Sequence, residues 1–268
     1  MKPEDVRAAL RRLGRRPSKR LGQHFLIDER VADRHVRLAA PARSETVLEI
    51  GPGLGVLTRR LADRAGRVVA VEKDRRLAVA LRGIAPNVEV IEGDALRVRW
   101  PRFDLVVANL PFQISSPLTF ALLDAKFDRA FLMYQREFAA RLTAKPGSPE
   151  YSRLTVNAFA RCACEIVETV PRSAFYPVPE VDSAIVSLRP RPPPFRIGDP
   201  AAFRATVDAI FVHRRKTIGA ALRLECERFG VSAAEWTARI ARAPFLERRG
   251  EELTPAEIAE LAATLAKG

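Results

Sequence analysis

The stretch TVLEIGPGLGVLTRRLADRAG, residues 46–66, decides the fold. TVLEI is a short apolar run that reads as a strand buried on both faces. Glycines at 51, 53 and 55 end it. VLTRRLADRAG follows as a helix closed by Gly66. Downstream the pattern repeats. RVVAVEKD (67–74) is a second strand and RRLAVALRGIA (75–85) a second helix. VEVIEGDAL (88–96) is a third strand with its loop, and FDLVVANLPF (103–112) a fourth strand running into a proline turn. SPLTFALLDA (116–125) reads as a helix with Ser116 as cap and Pro117 at its first position. RAFLMYQ (129–135) is a fifth strand. Short connections between alternating strands and helices predict an α/β fold, a doubly wound and mainly parallel sheet of Rossmann-like type. Ligands of such sheets bind at the carboxyl ends of the strands.

Outward from this block the chain changes character. Residues 28–40 fit a helix with Asp28 near its cap. CEIVETV and AIVSLRP (within 151–190) read as later strands, and RPRPPPF (189–195) as a stiff linker. From Pro200 onward the pattern is helical: FRATVDAIFVHRRKTIGAALR, a helix around Trp236, then PAEIAELAATLAK. Three parts are expected: a basic N-terminal arm (1–20), partly helical, a catalytic domain (21–191) and a small helical domain (192–268).

The charge narrows the partner. The 268 residues carry 45 Lys and Arg against 32 Asp and Glu, a net +13. Such an excess favours a polyanion, because each neutralised phosphate releases counterions. The basic residues cluster. Arg15, Arg16, Lys19 and Arg20 close the arm, and Arg214, Arg215 and Lys216 form a triplet. Both clusters are candidate phosphate contacts. No apolar run of 18 residues exists, so no membrane span is expected. No signal-like apolar segment follows the basic start, and a cytoplasmic protein is expected. Three cysteines without metal-site spacing predict neither a disulfide framework nor a metal site.

Four strand ends carry the candidate chemistry. Glycines in Glu49-Ile-Gly51-Pro-Gly53-Leu-Gly55 let the backbone approach a ligand. The spacing is not the G-x-G-x-x-G of dinucleotide enzymes. A carboxylate at Glu49 would repel a pyrophosphate but suits an ammonium and a sulfonium, which favours S-adenosylmethionine (SAM) over NAD. Glu72, ending the second strand, can accept both hydroxyls of a ribose. Asp94, after the third, is placed to accept from the amino group of the ligand's adenine. Asn109-Leu110-Pro111-Phe112, ending the fourth, offers a side-chain carbonyl, a main-chain carbonyl and an aromatic face. Together these fit a planar aromatic amine.

With these residues in hand, the chain resembles the ribosomal RNA adenine N6,N6-dimethyltransferases. The resemblance runs through GQHFLID (22–28), VLEIGPGLGVLT (47–58), VVAVEKD (68–74), VIEGDAL (90–96), VVANLPFQISSPL (106–118), AFYPVPEVDSAIV (174–186) and FVHRRKTIGAAL (211–222). FQISSP and the short loops look closer to archaeal members. The resemblance implies SAM binding through His24, Leu26, Gly51, Glu72, Asp94 and Asn109, with Gly53 in the same loop and Gln23 beside them. It implies as substrate two adjacent adenines near the 3′ end of small-subunit ribosomal RNA, each methylated twice. Phe112 stands where the family has tyrosine, and His24 where asparagine is common.

The expected mechanism follows. An unstacked adenine enters the pocket, Phe112 stacks on one face and Phe175 packs on the other. The Asn109 side-chain oxygen and the Leu110 carbonyl accept from N6–H, localising the amino lone pair toward the methyl donor. No strong base is required. A monomer is expected. Rival readings are a resistance-type methyltransferase of large-subunit ribosomal RNA, a ribosome-assembly factor acting mainly by binding, and a DNA or small-molecule methyltransferase.

Overall fold

The computed structural model describes residues 1–17 and 22–266. Its elements, in chain order, are α1 (Pro3–Arg12), β1 (Phe25–Leu26), α2 (Glu29–Ala39), β2 (Thr46–Ile50), α3 (Val56–Ala62), β3 (Arg67–Glu72), α4 (Arg75–Leu81), β4 (Val88–Glu92) and β5 (Leu105–Asn109). These are followed by α5 (Ser115–Leu123), β6 (Arg129–Gln135), α6 (Arg136–Leu142), α7 (Arg153–Phe159), β7 (Cys162–Val170), β8 (Phe175–Tyr176) and β9 (Ser183–Pro190). The chain ends in α8 (Pro200–Val212), α9 (Ile218–Arg223), α10 (Ala233–Ala241) and α11 (Pro255–Ala266).

Seven strands form one sheet in the order β4-β3-β2-β5-β6-β9-β7. β2 pairs in parallel with β3 and β5, β3 with β4, and β5 with β6. β9 runs antiparallel to β6. The mainly parallel α/β fold read from the strand–helix rhythm is therefore present. From β2 the chain builds outward through β3 and β4 on one side and returns to build β5 and β6 on the other. The order reverses between β2 and β5, and a crevice opens at such a switch point, beyond the carboxyl ends. Glu49 and Gly51 sit at one lip and Asn109 at the other.

Burial explains the central strands. Val47, Leu48 and Ile50 of β2 and Leu105 to Ala108 of β5 are buried, as expected of strands covered on both faces. Helix α2 covers one face through Val31, Ala32, Val36 and Ala39. Asp28 caps it, accepting from the N–H groups of Arg30 (2.9 Å) and Val31.

Two local readings change. Helix α3 stops at Ala62, and Gly66 belongs to the turn entering β3. Helix α5 starts at Ser115 because a single 3-10 turn, Phe112–Ile114, feeds directly into it. Ser116 is thus inside the helix, and Pro117 lies in its first turn, where a missing N–H costs little.

The chain divides into two compact units, Met1–Ala139 with Ala163–Pro190, and Ala140–Cys162 with Arg191–Gly268. The division after Pro190 falls at the proline-rich linker. Residues 140–162, including α7, group with the helical unit, a feature absent from the sequence reading. That unit has its own core around Phe203, Val207, Ile210, Leu222, Trp236 and Leu261. The helical pattern of 203–223 breaks at His213, whose φ −106° and ψ 41° leave the helix, and Thr217 caps α9 anew. Helix α1 packs Val6 and Leu10 against Phe25 and Leu77.

Candidate active site

The glycine loop makes the first wall of the crevice. Gly51 and Gly53 have φ of 69° and 59°, a region that penalises any Cβ. A Cβ on Gly51 would lie 3.1 Å from Cδ of Pro111, and one on Gly53 would lie 3.2 Å from the Phe25 ring. The loop thus passes close beneath the Asn109–Phe112 turn and the β1 strand.

Strand ends supply the acids. Glu49 is 1% exposed, and burial pushes its carboxyl up to about 8, with the nearby Glu72 charge adding in the same direction. Its Oε2 has no hydrogen-bond partner among the described residues, which is costly for a buried acceptor. Glu72 is buried too, and burial raises its pKa. Its Oε1 accepts from the Asp74 N–H (2.8 Å) and its Oε2 from the Gly53 N–H (3.1 Å). The Lys73 N–H is a third main-chain donor to the same carboxylate, which has four acceptor sites in all. Asp94 is held below the usual carboxylate range, first by the Lys73 ammonium at 2.8 Å and then by the Leu96 N–H at 3.0 Å. Lys73 lines the same crevice and was not singled out from sequence.

The fourth strand end completes the site. The Asn109 Nδ2 donates to the His24 carbonyl at 3.1 Å. Its Oδ1 accepts from none of the described residues. The Leu110 N–H donates to the Met133 carbonyl at 3.3 Å, anchoring the turn to β6. Phe112 carries the His24 ring on one face, with centroids 5.3 Å apart and planes 27° apart. The His24 Nδ1 lies 2.7 Å from the Pro177 carbonyl. Gln23, His24, Leu26, Gly51, Gly53, Glu72, Asp94, Asn109, Leu110, Pro111 and Phe112 all line one pocket.

Phe175 does not join them, and its expected stacking role is corrected. Its ring is 0% exposed, in the core beneath β1. The short pair β1–β8 sets this, matching Leu26 with Phe175 and Phe25 with Tyr176. Alternation along β8 turns Phe175 inward and leaves Tyr176 partly exposed. A ring without exposed surface offers no face to a base. In this structure the aromatic partner of Phe112 is His24.

The basic candidates divide. Arg15, though 42% exposed, ion-pairs with the buried Asp74, which engages its charge within the protein. Arg214 pairs with Glu251 (2.6 Å) and donates to the Pro149 carbonyl (2.7 Å), so it braces the helical unit. Arg16, Arg215 and Lys216 are exposed. The latter two sit in the turn between α8 and α9 rather than on a helix face. Lys19 and Arg20 lie outside the described residues.

The family profile for ribosomal RNA adenine dimethylase matches residues 14–260. A probable ribosomal RNA small subunit methyltransferase A of Thermococcus kodakarensis is 47% identical, covering 94% of this chain and 91% of its own length. The protein of the same name from Methanosarcina mazei is 45% identical, with 90% coverage of both. The crystal structure of a Plasmodium falciparum dimethyladenosine transferase superposes with a TM-score of 0.77 at 30% identity, covering 89% of this chain and 96% of that one. That of the 23S rRNA methyltransferase ErmE gives 0.65 at 32% identity, covering 91% and 100%. A profile match over nearly the whole chain, with relatives of this identity along its length, places the chain in the ribosomal RNA adenine dimethylase family.

Proposed function

We propose that this chain transfers methyl groups from SAM to N6 of two adjacent adenines in small-subunit ribosomal RNA, two to each. One observation carries the reading. Asn109, at the switch point, has its amide N–H engaged by the His24 carbonyl, so its Oδ1 is presented as an acceptor. Beside it the Leu110 carbonyl accepts from none of the described residues, and Phe112 supplies a ring. Two acceptors and a ring match an exocyclic amine on a planar base.

The residues present fit SAM. The buried Glu49 Oε2, without a hydrogen-bond partner among the described residues, suits a cation such as the ligand's ammonium. Glu72 keeps acceptor capacity for a ribose hydroxyl, and Asp94 for an adenine amino group. When bound, SAM supplies an electrophilic methyl on a sulfonium. The protein's part is alignment. Asn109 and the Leu110 carbonyl accept from N6–H and draw the amino lone pair out of conjugation with the ring. Phe112 fixes the plane of the base. Positioning of this kind accounts for most of the catalysis. The proton leaves to water, so no strong base is needed. Exposed Arg16, Arg215 and Lys216 hold phosphates, and Lys19 and Arg20 extend the arm cluster.

The small-subunit target rests on the names of the archaeal relatives at 45–47% identity. The second reading, methylation of large-subunit RNA, is favoured only by the ErmE likeness at TM-score 0.65, against 0.77 for the dimethyladenosine transferase. Replacing Asn109 with Ala tests the scheme: methylation should collapse while S-adenosylhomocysteine still binds. Unchanged methylation rates would overturn it.

A further inference from the structure

Two carboxylates, Glu72 and Asp74, lie side by side where β3 meets α4. They are 6% and 5% exposed. The Asp74 N–H donates to Glu72 Oε1 at 2.8 Å. The Asp74 Oδ1 caps α4, accepting from the Arg76 N–H at 2.9 Å and more weakly from Leu77. Two buried acids this close repel, and each loses hydration. Lys73, which lies between them in sequence, is turned away to Asp94. Among the described residues the one cation paired to the couple is Arg15, on Asp74 Oδ2.

Arg15 comes from 59 residues away, and the protein takes pains to deliver it. Val6 and Leu10 bury one side of α1 against Phe25 and Leu77, with Leu54 of the glycine loop in the same cluster. Arg76 reaches back from α4 and donates to the carbonyls of Leu13 (2.7 Å) and Gly14 (2.9 Å), the two residues before Arg15. The Arg15 N–H bonds to the Leu10 carbonyl at 2.8 Å. The two arginines thus form a reciprocal clasp, Arg15 from arm to corner and Arg76 from corner to arm. The main chain at and just before Arg15 is thus tied down, which holds its guanidinium beside Asp74.

We propose that Arg15 is a positioning residue of the cofactor site: by neutralising Asp74 it keeps Glu72 in place as the acceptor for a ribose diol, so the N-terminal arm is part of the nucleoside-binding apparatus. This rests on reading the crevice as the SAM site. The line of action runs from Arg15 through Asp74 to Glu72, and from Glu72 Oε2 to the Gly53 N–H at 3.1 Å. A basic residue in a basic arm would ordinarily be assigned to RNA phosphate. The clasp assigns it to the small ligand.

The test is calorimetric titration of the full-length protein with S-adenosylhomocysteine, for wild type, Arg15→Ala, Asp74→Asn and the double variant. Asparagine keeps the Oδ1 cap of α4 while removing the charge. Arg15→Ala should weaken binding about tenfold, the size of one charge-assisted hydrogen bond. In steady-state assays it should raise KM for SAM without a matching fall in kcat. The double variant should bind within about threefold of wild type, because the uncompensated charge is gone. A double variant no tighter than Arg15→Ala would show that Arg15 only anchors the arm, and would overturn the proposal. So would Arg15→Ala with normal ligand affinity and a reduced salt dependence of RNA binding, which would make Arg15 a phosphate contact. A wild type that fails to bind the ligand overturns the reading of the site itself, a separate and recognisable result.

Discussion

The Asn109 side chain donates to the main-chain carbonyl of His24 at 3.1 Å, so a turn at the end of β5 is oriented by a residue 85 positions earlier. An amide whose nitrogen is engaged cannot flip without breaking that bond, and its oxygen therefore keeps one direction. Replacement by Asp removes the donor and sets a carboxylate against a carbonyl oxygen. Asn109→Asp and Asn109→Ala should each lower kcat by about a hundredfold, the scale of losing one preorganised polar contact at the reacting centre. The ligand dissociation constant should move far less. Single-turnover methylation beside ligand titration checks this, and equal losses in both would contradict it.

In the proposed scheme Phe112 stacks on the base without a phenol. Phe112→Tyr should methylate at close to the wild-type rate. Phe112→Ala should raise KM for RNA, since a base–aromatic stack contributes about 1–3 kcal/mol. Steady-state kinetics on the RNA substrate separate the two variants.

Phe175 is assigned to the core, and the prediction differs in kind. Phe175→Ala should destabilise the protein by about 3–5 kcal/mol, as for other buried aromatic truncations. Denaturant unfolding measures this. Normal stability combined with a raised KM for RNA would instead return Phe175 to the base-binding site.

Glu49 makes a pH-dependent prediction. Its pKa rises on folding from 4.5 to about 8, chiefly by burial. Between those values the folded state holds a proton that the unfolded state releases, so the Glu49 contribution to stability falls as pH rises through this window. Glu49→Gln removes the titration. The stability difference between variant and wild type should grow in the variant's favour from pH 5 to about 8, read as melting temperature at each pH. Ligand affinity should show the opposite dependence. A bound ammonium favours the ionised carboxylate, so wild-type affinity should rise toward pH 8 and the variant should lack that rise. A stability difference independent of pH would contradict the assignment.

Arg215 and Lys216 are the exposed members of their triplet. Arg215→Glu with Lys216→Glu should weaken RNA binding and flatten its salt dependence, while Arg214→Glu should act mainly by loosening the helical unit through loss of Glu251. Filter binding over a salt series, with melting curves alongside, distinguishes them.

What was legible in the sequence was local. An apolar run ending in glycine, or in a carboxylate, states its strand within a few residues, so Gly51, Glu72, Asp94 and Asn109 could be singled out, and they line one pocket. What required the fold was long-range. Which face of β8 turns inward depends on its pairing with Leu26, so Phe175 could not be told from Tyr176. Which arginine of the arm pairs with Asp74 depends on the fold, so Arg15 looked like Arg16. His24 reads as a polar loop residue until the β5 turn brings Phe112 beneath it. Residues 140–162 join the helical unit through contacts such as the Tyr151 hydroxyl on the Leu253 carbonyl at 2.8 Å, and no local pattern announces them.

The most direct test of the central claim is transfer of labelled methyl from SAM to unmethylated small ribosomal subunits, large subunits and duplex DNA in parallel, followed by nucleoside analysis. The account predicts N6,N6-dimethyladenosine in small subunits alone. Label confined to large subunits, or no transfer to any substrate despite measurable ligand binding, would contradict it.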